Sequence, residues 1–260
     1  MLVCAPQVEL HQDDCRTVFR GRETQWLAPV LVSSQTIATR AMSQDVRQAV
    51  LQTLDKLSDD DYLLFVREYY REGERRFGSA WDYADLLTFL AAASEILQPR
   101  NFLEIGVRRG RSAAIVAAAC PACDIYGFDM WMVDYAGMPN PGPQFVTDEL
   151  QRIGHRGKIE LVSGDSHTTV PAFFAANPQA KFDLINVDGD HSPDGAQADL
   201  ECVLPYVDLG GMLLLDDITH PQHRYLEDVW DRVVGSNPDF VSYKYRELGY
   251  GVAVGIQRNQ

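Results

Sequence analysis

The 260-residue chain lacks the features that mark membrane, secreted or repetitive proteins. No apolar run approaches the roughly 18–20 residues that a membrane-spanning helix needs. Residues 1–15 contain acidic residues and no basic segment of the kind that opens a secretory signal. We find no internal repeat and no low-complexity linker. These absences predict a globular, cytoplasmic protein without a membrane partner, built as one domain with or without a helical extension.

Basic residues are also scarce. Lys and Arg total 23 against 37 Asp and Glu, which gives a formal net charge of −14. A field of this sign repels the phosphate backbone of DNA or RNA. We therefore expect no nucleic-acid partner.

Cysteine is sparse, with five residues scattered along the chain. Cys120 and Cys123 have the spacing of a redox or zinc pair, but there is no second pair to complete a zinc site. They follow a predicted helix instead of preceding one, so no helix N-terminus would lower the pKa of their thiols. We expect these cysteines to be reduced and to serve in packing.

The N-terminal part of the chain, residues 1–98, is predicted to be an arm followed by helices. Residues 1–42 show little periodicity, and the apolar stretch at 26–32 contains a proline, which favours a packing arm over a strand. Amphipathic helices are predicted at 43–57, 58–77 and 79–97, the second capped by Ser58. We expect this segment to cover the functional site or to pair subunits in a homo-oligomer, a dimer or larger.

Residues 99–260 alternate between short apolar runs and helical stretches. Continuous apolar strands separated by helices predict a parallel sheet that is buried on both faces. Two alternating runs at the end predict a hairpin, which would make one edge antiparallel. The sequence thus predicts an α/β protein with a doubly wound, mostly parallel seven-stranded sheet. The predicted strands are 102–107, 124–129, 158–165, 182–190, 211–218, 240–248 and 249–258, and the predicted helices are 112–120, 147–154, 168–177, 194–207 and 222–234.

The stretch NFLEIGVRRGRS, residues 101–112, predicts a buried strand, a turn containing Gly106 and Gly110, and the start of a helix. Such a turn lets the polar groups of a ligand approach the backbone. A dinucleotide site would have three glycines in the pattern G-x-G-x-x-G. Here there are two, preceded by the carboxylate of Glu104, which suits a ligand with an amine or hydroxyls. The pattern favours S-adenosylmethionine over NAD, with a purely structural turn as the alternative.

Each predicted parallel strand closes with an acid at the edge where open α/β sheets bind ligands. Asp129 closes the second strand, where its carboxylate could accept hydrogen bonds from both hydroxyls of a ribose. Asp165 and Ser166 close the third, where they could meet the edge of an adenine. The alternative for each acid is a cap of the following helix.

The fourth and fifth strands close with Asp188 and with the pair Asp216 and Asp217. Three carboxylates that converge in this way suit a hard divalent cation, Mg²⁺ above all. His191 follows Asp188 by three residues and could remove a proton from a hydroxyl, although a surface or capping role is its alternative.

Residues 101–217 resemble the class I S-adenosylmethionine-dependent methyltransferases. The four stretches that carry the resemblance are LEIGVRRGRS, GFDMW, VSGDS and INVDGDHSPDGAQADLECVLPYVDLGGMLLLDD. The last is similar to the metal-dependent O-methyltransferases of the catechol and macrolide-sugar types. The resemblance implies a Rossmann-like methyltransferase fold and a small-molecule acceptor with a hydroxyl. It also implies S-adenosylmethionine contacts from Glu104, Gly106, Gly110, Asp129, Met130, Asp165, Ser166 and Asp188.

The same resemblance implies that Asp188, Asp216 and Asp217 hold the metal and that Asp188 and His191 take part in catalysis, with His191 as the base. A natural product or a sugar is the expected acceptor. Two alternatives stay open: a metal-independent methyltransferase acting on nitrogen or carbon, and a cofactor-binding or assembly protein without turnover. The cephalosporin-hydroxylase-like group shares the metal pattern, so the resemblance leaves the reaction open.

Overall fold

The computed structural model describes residues 34–247 and 249–258. The predicted packing arm at 26–32 lies outside the described residues, as do two of the cysteines. In the described part of the chain, eight α-helices have at least eight residues each, and a shorter ninth helix follows the fifth strand. The helices are α1 Ser34–Ala41, α2 Gln44–Leu54, α3 Asp61–Phe77, α4 Leu86–Leu97, α5 Arg111–Ala119, α6 Pro143–Arg152, α7 Ser166–Ala176, α8 Pro193–Val203 and α9 Tyr225–Trp230.

Seven strands form one sheet in the order β3-β2-β1-β4-β5-β7-β6. The first five strands pair in parallel, and β7 runs antiparallel to both of its neighbours. This confirms the predicted doubly wound sheet with its terminal hairpin. The strands are β1 Asn101–Ile105, β2 Asp124–Asp129, β3 Ile159–Ser163, β4 Phe182–Val187, β5 Val207–Leu215, β6 Phe240–Tyr245 and β7 Val252–Gln257.

Alternate residues of the buried strands enter two hydrophobic cores, one on each face of the sheet. On β1, Phe102 belongs to the core that includes residues of α1 to α6, whereas Leu103 and Ile105 belong to the core beneath α7, α8 and α9. All three side chains are almost fully buried. The N-terminal helices therefore share one core with the sheet.

The starts of α3 and α4 differ from the prediction. The cap of α3 is Asp60, which accepts a hydrogen bond from the backbone N–H of Leu63, while Ser58 bonds to Glu149 instead. Helix α4 begins at Leu86, where Asp85 and Thr88 form a capping box. Both capping acids also have distant partners, Arg109 and Arg111 for Asp60 and Tyr70 for Asp85, which periodicity along the chain does not reveal.

Cys120 and Cys123 are free and buried at the end of α5. Burial raises the pKa of Cys123 to about 12, which disfavours the reactive thiolate. No helix in the described part of the chain is long and apolar enough to cross a membrane.

Candidate active site

The turn between β1 and α5 brings two loops into backbone contact. Gly106 has φ +90°, and a Cβ at this position would lie 1.9 Å from the carbonyl oxygen of Asp188. The N–H of Asp188 donates to the carbonyl of Ile105 at 2.9 Å. Gly110, at φ +71°, directly precedes α5, and a Cβ at this position would come too close to the side chain of Val146. Glycine is required here both by the left-handed backbone and by the lack of space.

Glu104 is fully buried within β1 and points to a polar partner on the neighbouring strand. Its Oε1 accepts a hydrogen bond from Asn186 Nδ2 at 2.9 Å, and its Oε2 is buried without a hydrogen-bond partner among the described residues. Burial raises the pKa of Glu104 to about 8, although Ser112 and Asn186 act in the opposite direction. An unpaired buried acceptor is costly, so a donor from a ligand would stabilise the site.

The pKa of Glu104 predicts how stability depends on pH. The folded protein keeps a proton that the unfolded chain releases near its ordinary value of 4.5. The free energy of unfolding should therefore fall as pH rises from about 4.5 to 8, by an amount on the order of 3–5 kcal/mol. Urea unfolding of ligand-free protein at several pH values across this window measures it.

The matched variant is Glu104→Gln, which keeps the shape of the side chain but cannot titrate. Other acids whose pKa is raised in the folded protein, Asp216 and Asp217 among them, also contribute to the pH dependence of stability. The difference between the wild-type and variant profiles isolates Glu104. Parallel profiles would show that Glu104 is not the group that titrates.

Asp129, the last residue of β2, faces the glycine turn. Its Oδ2 accepts from the backbone N–H of Arg108 at 2.7 Å, and its Oδ1 accepts from the N–H of Trp131 at 2.5 Å. Each carboxylate oxygen has a further lone pair, so the side chain can still accept ribose hydroxyls. Asp129 therefore also holds the turn in place. Met130 is exposed, and the indole N–H of Trp131 is buried without a partner among the described residues.

Asp165 and Ser166 lie at the junction of β3 and α7, at the same edge of the sheet. Asp165 caps α7 by accepting from the N–H of His167 at 2.9 Å, as the alternative interpretation of this acid expects. Ser166 is the first residue of the helix. A capping carboxylate retains free lone pairs, so the predicted contact with adenine stays a prediction.

Three carboxylates lie where β4 and β5 end side by side. Val187 pairs with Leu215, so Asp188 and Asp216 follow directly from neighbouring positions. Asp217 comes next, with φ +61°. Burial, together with the negative charge of nearby acids, raises the pKa of both Asp216 and Asp217. Mutual repulsion of this kind is relieved by a cation.

His191 lies at the lip of this acidic cluster, with Nε2 3.1 Å from Asp188 Oδ1. This hydrogen bond raises the pKa of the imidazole, although burial acts in the opposite direction. Within 34–247 and 249–258, no three His, Cys, Asp or Glu side chains are grouped so that they could hold a metal ion. The acids of the predicted magnesium site thus follow neighbouring strands without forming such a group, and one oxygen of Asp188 is bonded to His191.

A group of rings that was not predicted from the sequence lies beside His191. The imidazoles of His191 and His223 lie 4.9 Å apart, and His220 stacks on His223 at 4.8 Å. Tyr225 donates to the carbonyl of His191 at 2.7 Å. The N–H of His220 donates to the carbonyl of Asp217 at 3.0 Å, which closes a turn directly after the acidic pair. The feature of the sequence that could have predicted these rings is the presence of two histidines, His220 and His223, shortly after the acidic pair.

Helix α3 reaches the glycine turn through an ion pair. Asp60 Oδ2 lies 2.8 Å from Arg109 Nε and 2.5 Å from Arg111 Nη2. The Arg111 guanidinium lies over the ring of Tyr62, 5.0 Å from its centre. Helix α3 therefore contacts the glycine turn, while the two roles predicted for the N-terminal helices, covering the site or pairing subunits, stay predictions.

Comparisons with known proteins agree with this arrangement. Residues 103–218 match the family model of a methyltransferase domain. No curated protein is significantly similar to the chain. The matched segment runs from β1 past the acidic pair and so includes the glycine turn, Asp129, Asp188 and His191.

Solved methyltransferase structures share the fold at low identity. The calicheamicin methyltransferase CalS11 is 21% identical, with 92% of this chain and 99% of that chain covered and a TM-score of 0.55. TomG from Streptomyces achromogenes, bound to S-adenosylmethionine, is 18% identical over 78% and 92% of the two chains, with a TM-score of 0.54. An O-methyltransferase from Bacillus cereus is 15% identical over 90% and 96%, also with a TM-score of 0.54. The chain therefore has a Rossmann-like methyltransferase fold, and its residues 103–218 match the model of a methyltransferase domain.

Proposed function

We propose that the chain transfers the methyl group of S-adenosylmethionine to a hydroxyl of a small molecule and that Mg²⁺ or another divalent cation assists. The observation that carries this proposal is the acidic cluster of Asp188, Asp216 and Asp217, which adjoins both His191 and the glycine turn. A site for a methyl donor thus borders a site that can bind and deprotonate an oxygen.

The methyl donor would lie along the carboxyl edge of β1, β2 and β3. Glu104 and Asp129 would accept hydrogen bonds from its amine or hydroxyls, and Gly106 and Gly110 leave the backbone open to it. Met130, Asp165, Ser166 and Asp188 complete the proposed contacts. The buried, unpartnered Oε2 of Glu104 supports this assignment, because a ligand donor would satisfy it.

The acidic cluster fits a hard cation in the chemistry of its donors. All three side chains offer carboxylate oxygens, which Mg²⁺ prefers. Burial and the negative charge of the neighbouring acids raise the pKa of Asp216 and Asp217, and a cation would offset that charge. When bound, the cation would lower the pKa of the acceptor hydroxyl and neutralise the cluster. Asp188 has further lone pairs, so it could bind the cation and keep its hydrogen bond to His191.

In the proposed reaction the acceptor oxygen forms a bond to the methyl carbon while the S–CH₃ bond breaks. The electron pair of that bond passes to sulfur, which gives S-adenosylhomocysteine. The proton of the hydroxyl passes to His191, which must be neutral to accept it. Alignment of the two substrates supplies much of the remaining acceleration, because the sulfonium is already an activated donor.

The names of the similar structures are consistent with this reaction class. CalS11 is described as a TDP-rhamnose 3'-O-methyltransferase, and TomG as an O-methyltransferase involved in tomaymycin synthesis. These descriptions apply to CalS11 and TomG themselves. For this chain they support a hydroxylated natural product or sugar as the class of acceptor.

Removing divalent metal tests the proposal. With excess EDTA, formation of S-adenosylhomocysteine from a panel of small diols should fall by roughly 10²–10³-fold, the equivalent of several kcal/mol of charge stabilisation. Mass spectrometry measures the product. Affinity for S-adenosylhomocysteine, measured by calorimetry, should change less than about threefold, since the donor site lies mainly on β1 to β3.

Adding Mg²⁺ back is the control and should restore the rate. Full turnover in EDTA would refute the role of the metal and favour the metal-independent alternative. Analysis of the product for an O-methyl or an N-methyl linkage then identifies the acceptor atom. Binding of S-adenosylmethionine without consumption with any acceptor would favour a protein without turnover.

A further inference from the structure

Asp199 is a buried acid to which the proposed reaction gives no role. It lies in the middle of α8 and is 1% exposed. Its Oδ2 is buried without a hydrogen-bond partner among the described residues. Burying a carboxylate is costly, and an apolar side chain fills a buried position at lower cost.

On one side Asp199 faces the start of α7. Its Oδ1 lies 3.7 Å from Nε2 of His167. Burial raises the pKa of Asp199, but a hydrogen bond with the hydroxyl of Ser166 acts in the opposite direction. Ser166 is one of the residues predicted to meet the adenine of the donor. Asp199 therefore interacts with the predicted adenine side of the donor site.

On its other side Asp199 faces the loop after β4. A Cβ at Gly189 would lie 3.1 Å from Oδ2 of Asp199, so this oxygen lies against the backbone of the loop. The backbone N–H of Asp190 also opposes the effect of burial on the pKa of Asp199. Gly189 directly follows Asp188, and His191 comes two residues later. The same carboxylate thus interacts with the loop that carries the proposed base.

The two sides belong to strands that are not neighbours. In the sheet, β2 and β1 lie between β3 and β4. At the usual strand spacing the ends of β3 and β4 are therefore about 14 Å apart. Helix α7 follows β3, and the loop with Gly189 follows β4. The proposed donor site extends along this edge, so it lies between the two segments that Asp199 connects.

We propose that Asp199 is a positioning residue of the donor site and that its carboxylate holds the start of α7 and the loop after β4 at the separation that S-adenosylmethionine requires. The inference rests on the proposed function for the identity of the donor. Asp199 acts through the hydroxyl of Ser166 on one side and through the backbone of Gly189 and Asp190 on the other. A fixed separation lowers the cost of binding, because the two segments are ordered before the donor arrives.

The charge of Asp199 does not stabilise the fold. Its pKa is raised to about 6 in the folded protein, so the free energy of unfolding falls as pH rises from the ordinary value of 3.8 to about 6. At pH 8 the ionised carboxylate carries the whole of this cost. Asp199→Asn keeps the shape of the side chain, removes the charge and leaves one acceptor oxygen in place of two.

At pH 8, Asp199→Asn should weaken binding of S-adenosylhomocysteine by about fivefold to thirtyfold, because the two segments lose their common acceptor. The thermal midpoint of the variant should equal or exceed that of the wild type. A merely structural residue would lower stability when replaced, so the opposite directions of the two effects identify positioning. Calorimetry and thermal unfolding measure them.

The matched control is Asp194→Asn, the same substitution in the first turn of the same helix. Asp194 is exposed, whereas Asp199 is buried. The control should bind S-adenosylhomocysteine within about twofold of the wild type. A loss specific to Asp199 therefore does not come from a change in the net charge of α8.

A double-mutant cycle with Ser166→Ala tests whether the effect passes through α7. Once the hydroxyl of Ser166 is gone, Asp199 can no longer act through it. The double variant should therefore bind S-adenosylhomocysteine at least about threefold more tightly than the two single losses predict when they are multiplied. The cycle uses binding alone, without metal or acceptor.

Unchanged affinity in Asp199→Asn, or a loss no larger than that of Asp194→Asn, would overturn the proposal. So would independent losses in the cycle. A fall of the thermal midpoint by more than about 5 °C, or failure of Asp199→Asn to fold, would also overturn it, since the carboxylate would then stabilise the fold itself. Failure of the proposed methyl transfer would show separately, as absent product from the diols with Mg²⁺ while the differences in affinity persist.

Discussion

Replacing His191 with alanine should lower kcat by about 10²–10⁴-fold, the range for loss of a general base. His191 lies 3.1 Å from Asp188 and at the lip of the acidic cluster, where an acceptor hydroxyl would lose its proton. Affinity for S-adenosylhomocysteine should stay within about twofold, because the residue does not border the glycine turn. Steady-state kinetics and calorimetry measure the two effects.

The pH profile adds a second readout for His191. Its pKa is raised by the hydrogen bond to Asp188, so the neutral base forms above the ordinary pKa of histidine. In the wild type kcat should rise with pH through that transition, and His191→Ala should lose the rise. Added imidazole should restore part of the rate. Weaker cofactor binding with an unchanged rate at saturation would contradict the assignment.

Gly106→Ala should reduce affinity for S-adenosylhomocysteine by roughly a hundredfold or more. The added methyl group would lie 1.9 Å from the carbonyl oxygen of Asp188, and backbone cannot yield as a flexible side chain can. The turn and the loop after β4 must then separate, which costs on the order of 1–3 kcal/mol or more and displaces both binding surfaces. Calorimetry and thermal unfolding measure the loss.

Gly154→Ala is the matched control for this substitution. Gly154 has φ +93°, close to the +90° of Gly106, but a Cβ there meets no atom within 4 Å. It therefore carries the same backbone strain, about 1–2 kcal/mol, without the collision. Cofactor affinity should be unchanged in the control. Equal losses in both variants would mean that strain and not the contact with Asp188 determines binding.

Local patterns predicted the parts of this protein that depend on short stretches of sequence. The apolar runs that become β1 to β5 lie between helical stretches, and buried parallel strands require that composition. The acids at their ends were visible for the same reason, since carboxylates are rare in strands. Asp129, Asp188 and Asp216 all lie at the edge to which this reasoning assigned them.

Features that depend on distant partners were not predictable in this way. Asn186 meets Glu104 only because β4 lies beside β1, and the sequence gives no sign of that neighbour. His220 and His223 reach His191 through a loop whose course no local pattern encodes. Helix α4 starts late because the segment before it packs on Tyr70 of α3, whose hydroxyl donates to the capping residue Asp85. In each case tertiary contacts outweigh local propensity.

The single carboxylate of Asp60 connects parts of the chain that the sequence presents as separate modules. It caps α3, and it binds Arg109 of the glycine turn and Arg111 at the start of α5. A chimera that exchanged the N-terminal helices would therefore also remove a partner of the glycine turn, unless it kept an acid at this position.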